Sequence, residues 1–483
     1  MLRPQPARLL RSTKPAHIYM MRYRQLHGQP LRKISTTAPG DQATLTPSVT
    51  PTMPTISRPK TPLSLLPFSN LVRAYAITAL SSYPLLMAPS LRLLSIVAHS
   101  PSALLNPDRN PLLHWILKKT FYAQFCAGET KKEVQRTVSG LKDMGYKGVI
   151  LAYGKEIVLE KGEKVSTSST DLEDQAIEKE VQEWKEGTSK TVQMAEEGDF
   201  IGLKFSGAGR DAMRQLAAEL PPSQAIEDAT TEICDLAKAR GVRLLFDAEQ
   251  DAVQRGIDAW TIRFQKRYNK ATLGQAMLYG TYQAYLRSTP ATVAEHLAIA
   301  QREGFTLGVK LVRGAYMASD PRELFWSTKE DTDRAYDGIA EALMRSKWNS
   351  MLKPSSAEST GKIPAAALVL ASHNHASVKK AINIRTEQRE RGEPRMDLAY
   401  GQLMGMADEV SCELAMAAKE ASIAPFENGD DSGPKAYKYL VWGSVRECLK
   451  YLVRRAEENR DAVIRAKGTR MALRSELGRR IWG

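Results

Sequence analysis

Two adjacent arginines near the end of the chain, Arg454 and Arg455, are the residues best suited to chemistry. They lie in Tyr451-Leu-Val-Arg-Arg-Ala-Glu-Glu458, within a segment running from Ser444 to Asn459. A guanidinium fork matches the two oxygens of a carboxylate, so the pair could grip a small carboxylic acid or simply form solvated surface charge. Ser444 suits an N-cap, and Val445, Leu449, Leu452, Val453 and Ala456 recur with the spacing of a buried helix face. The arginines flank that stripe, with Tyr451 one turn before and Glu458 one turn after. The spacing predicts a half-buried helix presenting a carboxylate clamp.

A clamp needs a pocket, and the preceding 310 or so residues supply one by repetition. Eight apolar runs, each short enough to be a strand, alternate with helix-like segments. They begin at Gly148, Phe200, Arg243, Leu278, Thr306, Ala366, Asp397 and Ala436. That rhythm predicts a parallel α/β architecture, and eight units is the number that closes a (β/α)8 barrel. An open doubly wound sheet is the rival arrangement. In a barrel, function collects where the strands end, and those ends read Lys204; Asp247 and Glu249; Gln283 and Tyr285; Lys310, Arg313 and Tyr316; Ser372, His373 and Asn374; Gln402 and Leu403; and Tyr439. A single polar residue there could merely cap the next helix. This set on one rim would suit an anionic, hydrogen-bonding cofactor beside a small charged substrate. A Gly207-Ala-Gly209-Arg-Asp-Ala212 run resembles a dinucleotide fingerprint, but Asp247 comes far too late to be its ribose-binding acid, so the run reads as a loop.

The net charge of +14 does not point to nucleic acid, because Asp41 is the only acidic residue before Asp108 while Arg and Lys recur there. No basic run is interleaved with aromatics. Residues 1–40 contain no acid, and Arg3, Arg8, Arg11, Arg22 and Arg24 punctuate apolar residues, a pattern expected of a mitochondrial transit peptide or, failing that, a disordered basic tail. Residues 41–110 read as a Thr/Pro-rich linker followed by an apolar helical arm, membrane-associating at the surface or packing on the body. Residues 111–483 form the barrel domain. The four cysteines have no Cys-x-x-Cys spacing, and His373 and His375 lack partners, so no metal site is expected.

Six segments in order resemble the proline dehydrogenase (proline oxidase) family, in its eukaryotic mitochondrial form. They are Leu245-Phe-Asp-Ala-Glu, Tyr282-Gln-Ala-Tyr, Lys310-Leu-Val-Arg-Gly-Ala-Tyr, Ser372-His-Asn, Gln402-Leu-Met-Gly-Met and the Tyr451 to Glu458 run. The resemblance implies a distorted (β/α)8 barrel with FAD held non-covalently at the strand ends. It implies oxidation of L-proline to 1-pyrroline-5-carboxylate, with electrons passed to a membrane quinone such as ubiquinone at the inner mitochondrial membrane or its matrix side.

By the same resemblance, Arg454 and Arg455 hold the substrate carboxylate, Lys204 lies beside it, and Asp247 pairs with Arg455 and orders it. Tyr439, Leu403 and Tyr316 shape the ring pocket. Gln283, Arg313, Gly314, Ala315, Ser372, His373, Asn374 and Glu458 contact the cofactor, and Lys310 stabilises negative charge on the reduced ring. Bacterial members tend to carry arginine where this chain has Lys310, and lysine where it has Arg313. The residues alone leave two other readings open: a Schiff-base lyase using Lys204 or Lys310 with Asp247, and a non-catalytic, membrane-associated regulatory barrel.

Overall fold

Eight short strands, each buried on both faces, close on one another. In a computed structural model, which describes residues 61–81, 84–100, 102, 104–154, 174–270, 275–317, 319–355, 361–423, 433–461 and 463–482, they are β1 (Gly148–Tyr153), β2 (Phe200–Leu203), β3 (Arg243–Phe246), β4 (Leu278–Gln283), β5 (Leu307–Val312), β6 (Ala366–Ala371), β7 (Leu398–Leu403) and β8 (Ala436–Trp442). All neighbours pair in parallel and β8 returns to β1, so the sheet is a closed barrel and not an open sheet. The expected transit segment, residues 1–40, lies outside the described residues.

An arm of α1 (Phe68–Ser81), α2 (Pro84–His99) and α3 (Pro111–Leu117) leads to α4 (Lys131–Asp143) before the barrel begins. The barrel helices are α5 (Asp174–Met194), α6 (Arg210–Ala217), α7 (Gln224–Ala239), α8 (Asp251–Tyr268), α9 (Thr289–Glu303), α10 (Lys329–Arg345), α11 (His375–Glu390), α12 (Asp408–Ile423) and α13 (Val445–Asp461), followed by a terminal α14 (Val463–Trp482).

Alternation along each strand sorts the side chains into two layers. Outward residues such as Ile201, Leu244, Leu278, Val309, Leu368 and Leu440 are buried against the helices. Inward residues, Ile150, Phe200, Leu245, Tyr279, Val369, Tyr437 and Tyr439, fill the interior. The bottom of the barrel is sealed by Arg243, whose guanidinium lies 3.8 Å from the Phe200 ring centroid and donates to Asp397 and to the Tyr437 hydroxyl, both at 3.0 Å. Burying that cation is tolerable because its charge is paired and its plane stacked. Above Arg243 the inward positions turn polar towards the C-terminal ends of the strands, where Lys310 and Gln283 stand and Lys204 and Asp247 follow directly on β2 and β3.

The arm packs on the C-terminal helices. Leu63, Leu66, Leu71 and Ala74 bury against Leu473 of α14, and Arg480 donates to the carbonyls of Leu63 and Ser64. Leu94 and Val97 of α2 join the cluster that includes Val445 and Leu449 of α13. Phe68, Val72, Leu93 and Ile96 remain exposed on the arm. Among the described residues no helix is long and apolar enough to cross a membrane. The Gly207–Ala212 run forms a short 3-10 turn and the start of α6, and the Glu180 carboxylate accepts the Arg210 N–H at 2.9 Å. The N-terminus that a dinucleotide phosphate would need is thus already occupied by a carboxylate.

Candidate active site

At the mouth of the barrel three strands aim polar side chains at one point, the carboxylate of Asp247 just past β3, which is only 6% exposed. Lys310 reaches it from β5, with Nζ 2.7 Å from Oδ1. Lys204, just past β2, places Nζ 2.9 Å from Oδ2, and the Tyr439 hydroxyl of β8 donates to the same oxygen at 2.6 Å. Burial works to raise the pKa of Asp247. The charges of Lys204 and Lys310, with hydrogen bonds from Lys310 and Tyr439, outweigh it and hold the carboxyl well below the usual carboxylate range. Burial and the Asp247 charge push the Tyr439 phenol well above its ordinary value, so it stays protonated and donates. The two ammonium groups lie 5.8 and 5.2 Å from the Tyr439 ring centroid, which fixes the ring as a floor between them. Gly202 makes the space: a Cβ there would meet the Tyr439 oxygen at 2.8 Å.

The carboxylate expected to order Arg455 is therefore engaged by Lys204, Lys310 and Tyr439. Arg455 is itself buried at 5% exposure on α13, with its guanidinium 5.0 Å from the Tyr451 ring one turn earlier. The side chains of Arg454 and Glu458 fall outside the described residues. Val445, Leu449 and Leu452 are buried as their spacing predicts, and Ser444 closes a capping box with Glu447.

Along β4 to β7 the other expected residues form a linked rim. Gln283 Nε2 donates to the Glu249 carbonyl at 3.2 Å, and its Oε1 accepts the Ala315 N–H at 3.3 Å. Arg313 donates through Nε to Asp333 (2.9 Å) and through its terminal nitrogens to the hydroxyls of Ser372 (2.5 Å) and Ser377 (2.8 Å), with its plane 4.3 Å from the Tyr336 ring. Ser372 Oγ accepts the Asn374 N–H, and Asn374 caps α11 by accepting from Ala376 and Ser377. His373 Nε2 accepts the Leu403 N–H at 3.1 Å, tying β6 to β7. Gly314 sits at φ +146°, where a Cβ would fall 1.3 Å from the Tyr285 ring, so the loop after β5 is pressed flat on that tyrosine. Tyr316 is buried at the end of this loop.

Asp333, Tyr336 and Glu249 were not singled out with these roles from sequence. Asp333 looks like one of several acids favoured at a helix start. Its spacing of three from Tyr336 puts both on one face of α10, the only local hint that they serve Arg313 together.

This geometry can be set beside known proteins. A family profile described as "Pro_dh: Proline dehydrogenase" matches residues 134–467, more than half of the 483-residue chain. The "Probable proline dehydrogenase, mitochondrial" of Schizosaccharomyces pombe is 28% identical over 75% of this chain and 80% of its own length. "Proline dehydrogenase 1, mitochondrial" of Caenorhabditis elegans is 34% identical over 52% of this chain and only 37% of its own. The "Hydroxyproline dehydrogenase" of Bos taurus is 26% identical over 76% of this chain and 82% of its own. Among solved structures, proline utilization A (PutA) of Bdellovibrio bacteriovorus, inactivated by N-propargylglycine, superposes with a TM-score of 0.57 at 17% identity, over 80% of this chain and 38% of that one; this is a likeness of fold. Because the profile takes in all eight strands and the arginine-bearing α13, the chain belongs to the proline dehydrogenase family.

Proposed function

We propose that the protein oxidises L-proline to 1-pyrroline-5-carboxylate using FAD as its resident cofactor, and passes the electrons to a membrane quinone such as ubiquinone. The relatives named as mitochondrial, and the basic, almost acid-free N-terminal stretch, support a mitochondrial location, at the inner membrane or its matrix side. The observation that carries the reading is the buried Asp247 network at the barrel mouth, with Arg455 buried on the helix that follows β8.

The donor set fits a flavin dinucleotide. Two ammonium groups share one carboxylate, which leaves an excess of positive charge at the mouth, and the rim from Gln283 through Arg313 to Asn374 offers hydrogen-bonding groups on three consecutive strand ends. Gln283, Arg313, Gly314, Ala315, Ser372, His373 and Asn374 would hold the dinucleotide, joined by Glu458 of α13. When bound, FAD supplies the acceptor for a hydride leaving proline C5.

The chain's own residues provide position and charge. Arg455, with Arg454 beside it in sequence, grips the substrate carboxylate in two-point fashion and fixes which ring carbon faces the cofactor. Tyr439, Leu403 and Tyr316 line the ring pocket. Asp247 keeps Lys204 and Lys310 ordered, and Lys310 presents a cation where negative charge accumulates during reduction.

Purified protein with a flavin spectrum should bleach on anaerobic addition of proline and should reduce a quinone analogue, with hydroxyproline run in parallel. In Arg455→Met, proline turnover should fall about a hundredfold or more in kcat/KM while flavin content is kept. A protein that copurifies without flavin, or an Arg455→Met variant with unaltered turnover, would overturn the reading.

A further inference from the structure

The turn between β8 and α13 is gripped from outside the barrel by one stretch of chain, residues 122–129. Ala127 N–H donates to the Val441 carbonyl at 2.8 Å, Gly443 N–H to the Gly128 carbonyl at 3.3 Å, and the Tyr122 hydroxyl to the Gly443 carbonyl at 2.7 Å. The fourth contact is of a different kind. Glu129 Oε1 accepts the N–H of Val445, the first residue of α13, at 3.0 Å. This helix already has an internal capping box from Ser444 and Glu447. What Glu129 adds is a tie between the helix and another part of the chain.

That tie is itself anchored. Glu129 Oε2 lies 2.6 Å from Lys118 Nζ and 3.2 Å from His114 Nε2, and the side chain is 15% exposed. Lys118 opens a π-helical turn, Lys118–Tyr122, which delivers the Tyr122 hydroxyl to Gly443. One carboxylate therefore locks the end of α3 to the start of α13. Arg455 stands ten residues along α13, about 15 Å from Val445 at 1.5 Å per residue. Over that lever a tilt of about 4° displaces the guanidinium by roughly 1 Å, enough to cost a two-point grip much of its geometry.

We infer that Glu129 is a positioning residue for the carboxylate grip: it fixes the axis of α13 and so the place of Arg455. The inference rests on α13 being the substrate-gripping helix. Its test compares two substrates on the full-length flavoprotein, proline and prolinamide, which lacks the carboxylate. A fault in clamp position lowers proline use specifically, whereas general damage to the fold lowers both.

Glu129→Ala should lower kcat/KM for proline about tenfold, mainly through KM, and leave prolinamide within about twofold. Glu129→Gln keeps one oxygen for the Val445 N–H but gives up the anchor on Lys118 and His114, and should place the proline-to-prolinamide ratio between those of Glu129→Ala and the parent. Should Glu129→Ala not yield folded protein, Glu129→Asp, which withdraws the carboxylate by one methylene, is read on the same ratio. Equal loss on both substrates, or a proline-to-prolinamide ratio that Glu129→Ala leaves unchanged, would overturn the inference. Arg455→Met separates it from the reading beneath it. If Arg455→Met leaves the preference for proline intact, the clamp itself is wrong; if it abolishes that preference while Glu129→Ala does not move it, only the role of Glu129 falls.

Discussion

Replacing Asp247 by Asn keeps the size of the side chain and removes its charge, leaving two lysines facing each other across a neutral amide. In the parent the carboxylate lies 2.9 Å from Lys204 and 2.7 Å from Lys310, with the Tyr439 hydroxyl at 2.6 Å. At an effective dielectric of about 20, each ion pair at this distance is worth roughly 6 kcal/mol before desolvation is counted. Most of that offsets the cost of burial. What appears on removing one partner is the uncompensated charge left behind, about 3–5 kcal/mol.

Folding stability of Asp247→Asn should therefore fall by about 3–5 kcal/mol at pH 7, read by urea unfolding with the fluorescence of the buried Trp184 and Trp260. The pH dependence carries the finer test. The parent Asp247 is depressed in the folded state, so its contribution is fully present above the ordinary carboxylate value of about 3.9 and is lost only in acid. In the variant that contribution is missing, so the deficit should hold from pH 7 down to about 4 and shrink below it. A deficit under about 1 kcal/mol at pH 7, or one that stays constant or widens below about pH 4, would refute the picture of a charge-balanced hub.

Tyr439→Phe removes a donor to the same carboxylate and should cost about 1.5–3 kcal/mol by the same unfolding assay, combining less than additively with Asp247→Asn because the two share one hydrogen bond. Gly314→Ala demands an L side chain at φ +146° inside the Tyr285 ring; a loss of about 3 kcal/mol or more, with reduced flavin content on purification, is expected. Glu476 is fully buried and pairs with Arg479 and Arg480 while accepting from Thr61. The Arg479 hydrogen bond leads the forces that draw its pKa down to about 2, against the opposing pull of burial. Its stabilisation is present above the ordinary glutamate value of about 4.3 and is withdrawn as pH falls towards 2. Glu476→Gln should thus speed hydrogen exchange in α1 (Phe68–Ser81) at pH 7, and the gap to the parent should close in acid; an unchanged exchange rate at pH 7 would argue against the anchor.

The barrel was legible because parallel strands covered on both faces must be apolar throughout, and runs such as Gly148-Val-Ile-Leu-Ala-Tyr have few other uses. Boundaries were less so. The fourth strand reads through to Tyr285 but ends at Gln283, although the N–H groups of Ala284 and Tyr285 still donate to the Val312 and Arg313 carbonyls beyond it. Helix α10 reads from Thr332, yet Thr328 and Asp331 form a capping box that starts it at Lys329. The terminal α14 was missed altogether. It is rich in arginine and interrupted by Gly468 and Gly478, and the surface that buries its Leu473 comes from Leu63 to Ala74, some 400 residues earlier in the chain. Likewise the cast of the site was readable, but its pairings were not. That Lys310 and Lys204 share Asp247 depends on barrel register, which joins residues 63 and 43 apart.

Those pairings also bear on the choice between chemistries. A Schiff-base enzyme needs a lysine that presents a neutral amine lone pair to a carbonyl. Here each candidate lysine spends an N–H on Asp247, at 2.7 and 2.9 Å, so its nitrogen is turned to a carboxylate and not to a substrate carbonyl. Lys310 is further enclosed, with its side chain only 7% exposed. Two ammonium groups bound to one carboxylate make poor nucleophiles and a good static field, which is what oxidation of a gripped substrate asks of a protein. Borohydride added with pyruvate, a small keto acid, should accordingly leave both lysines unmodified by mass spectrometry. A reduced adduct on Lys204 or Lys310 would mean that Asp247 serves a nucleophile, and the electrostatic role argued for the pair would have to be abandoned.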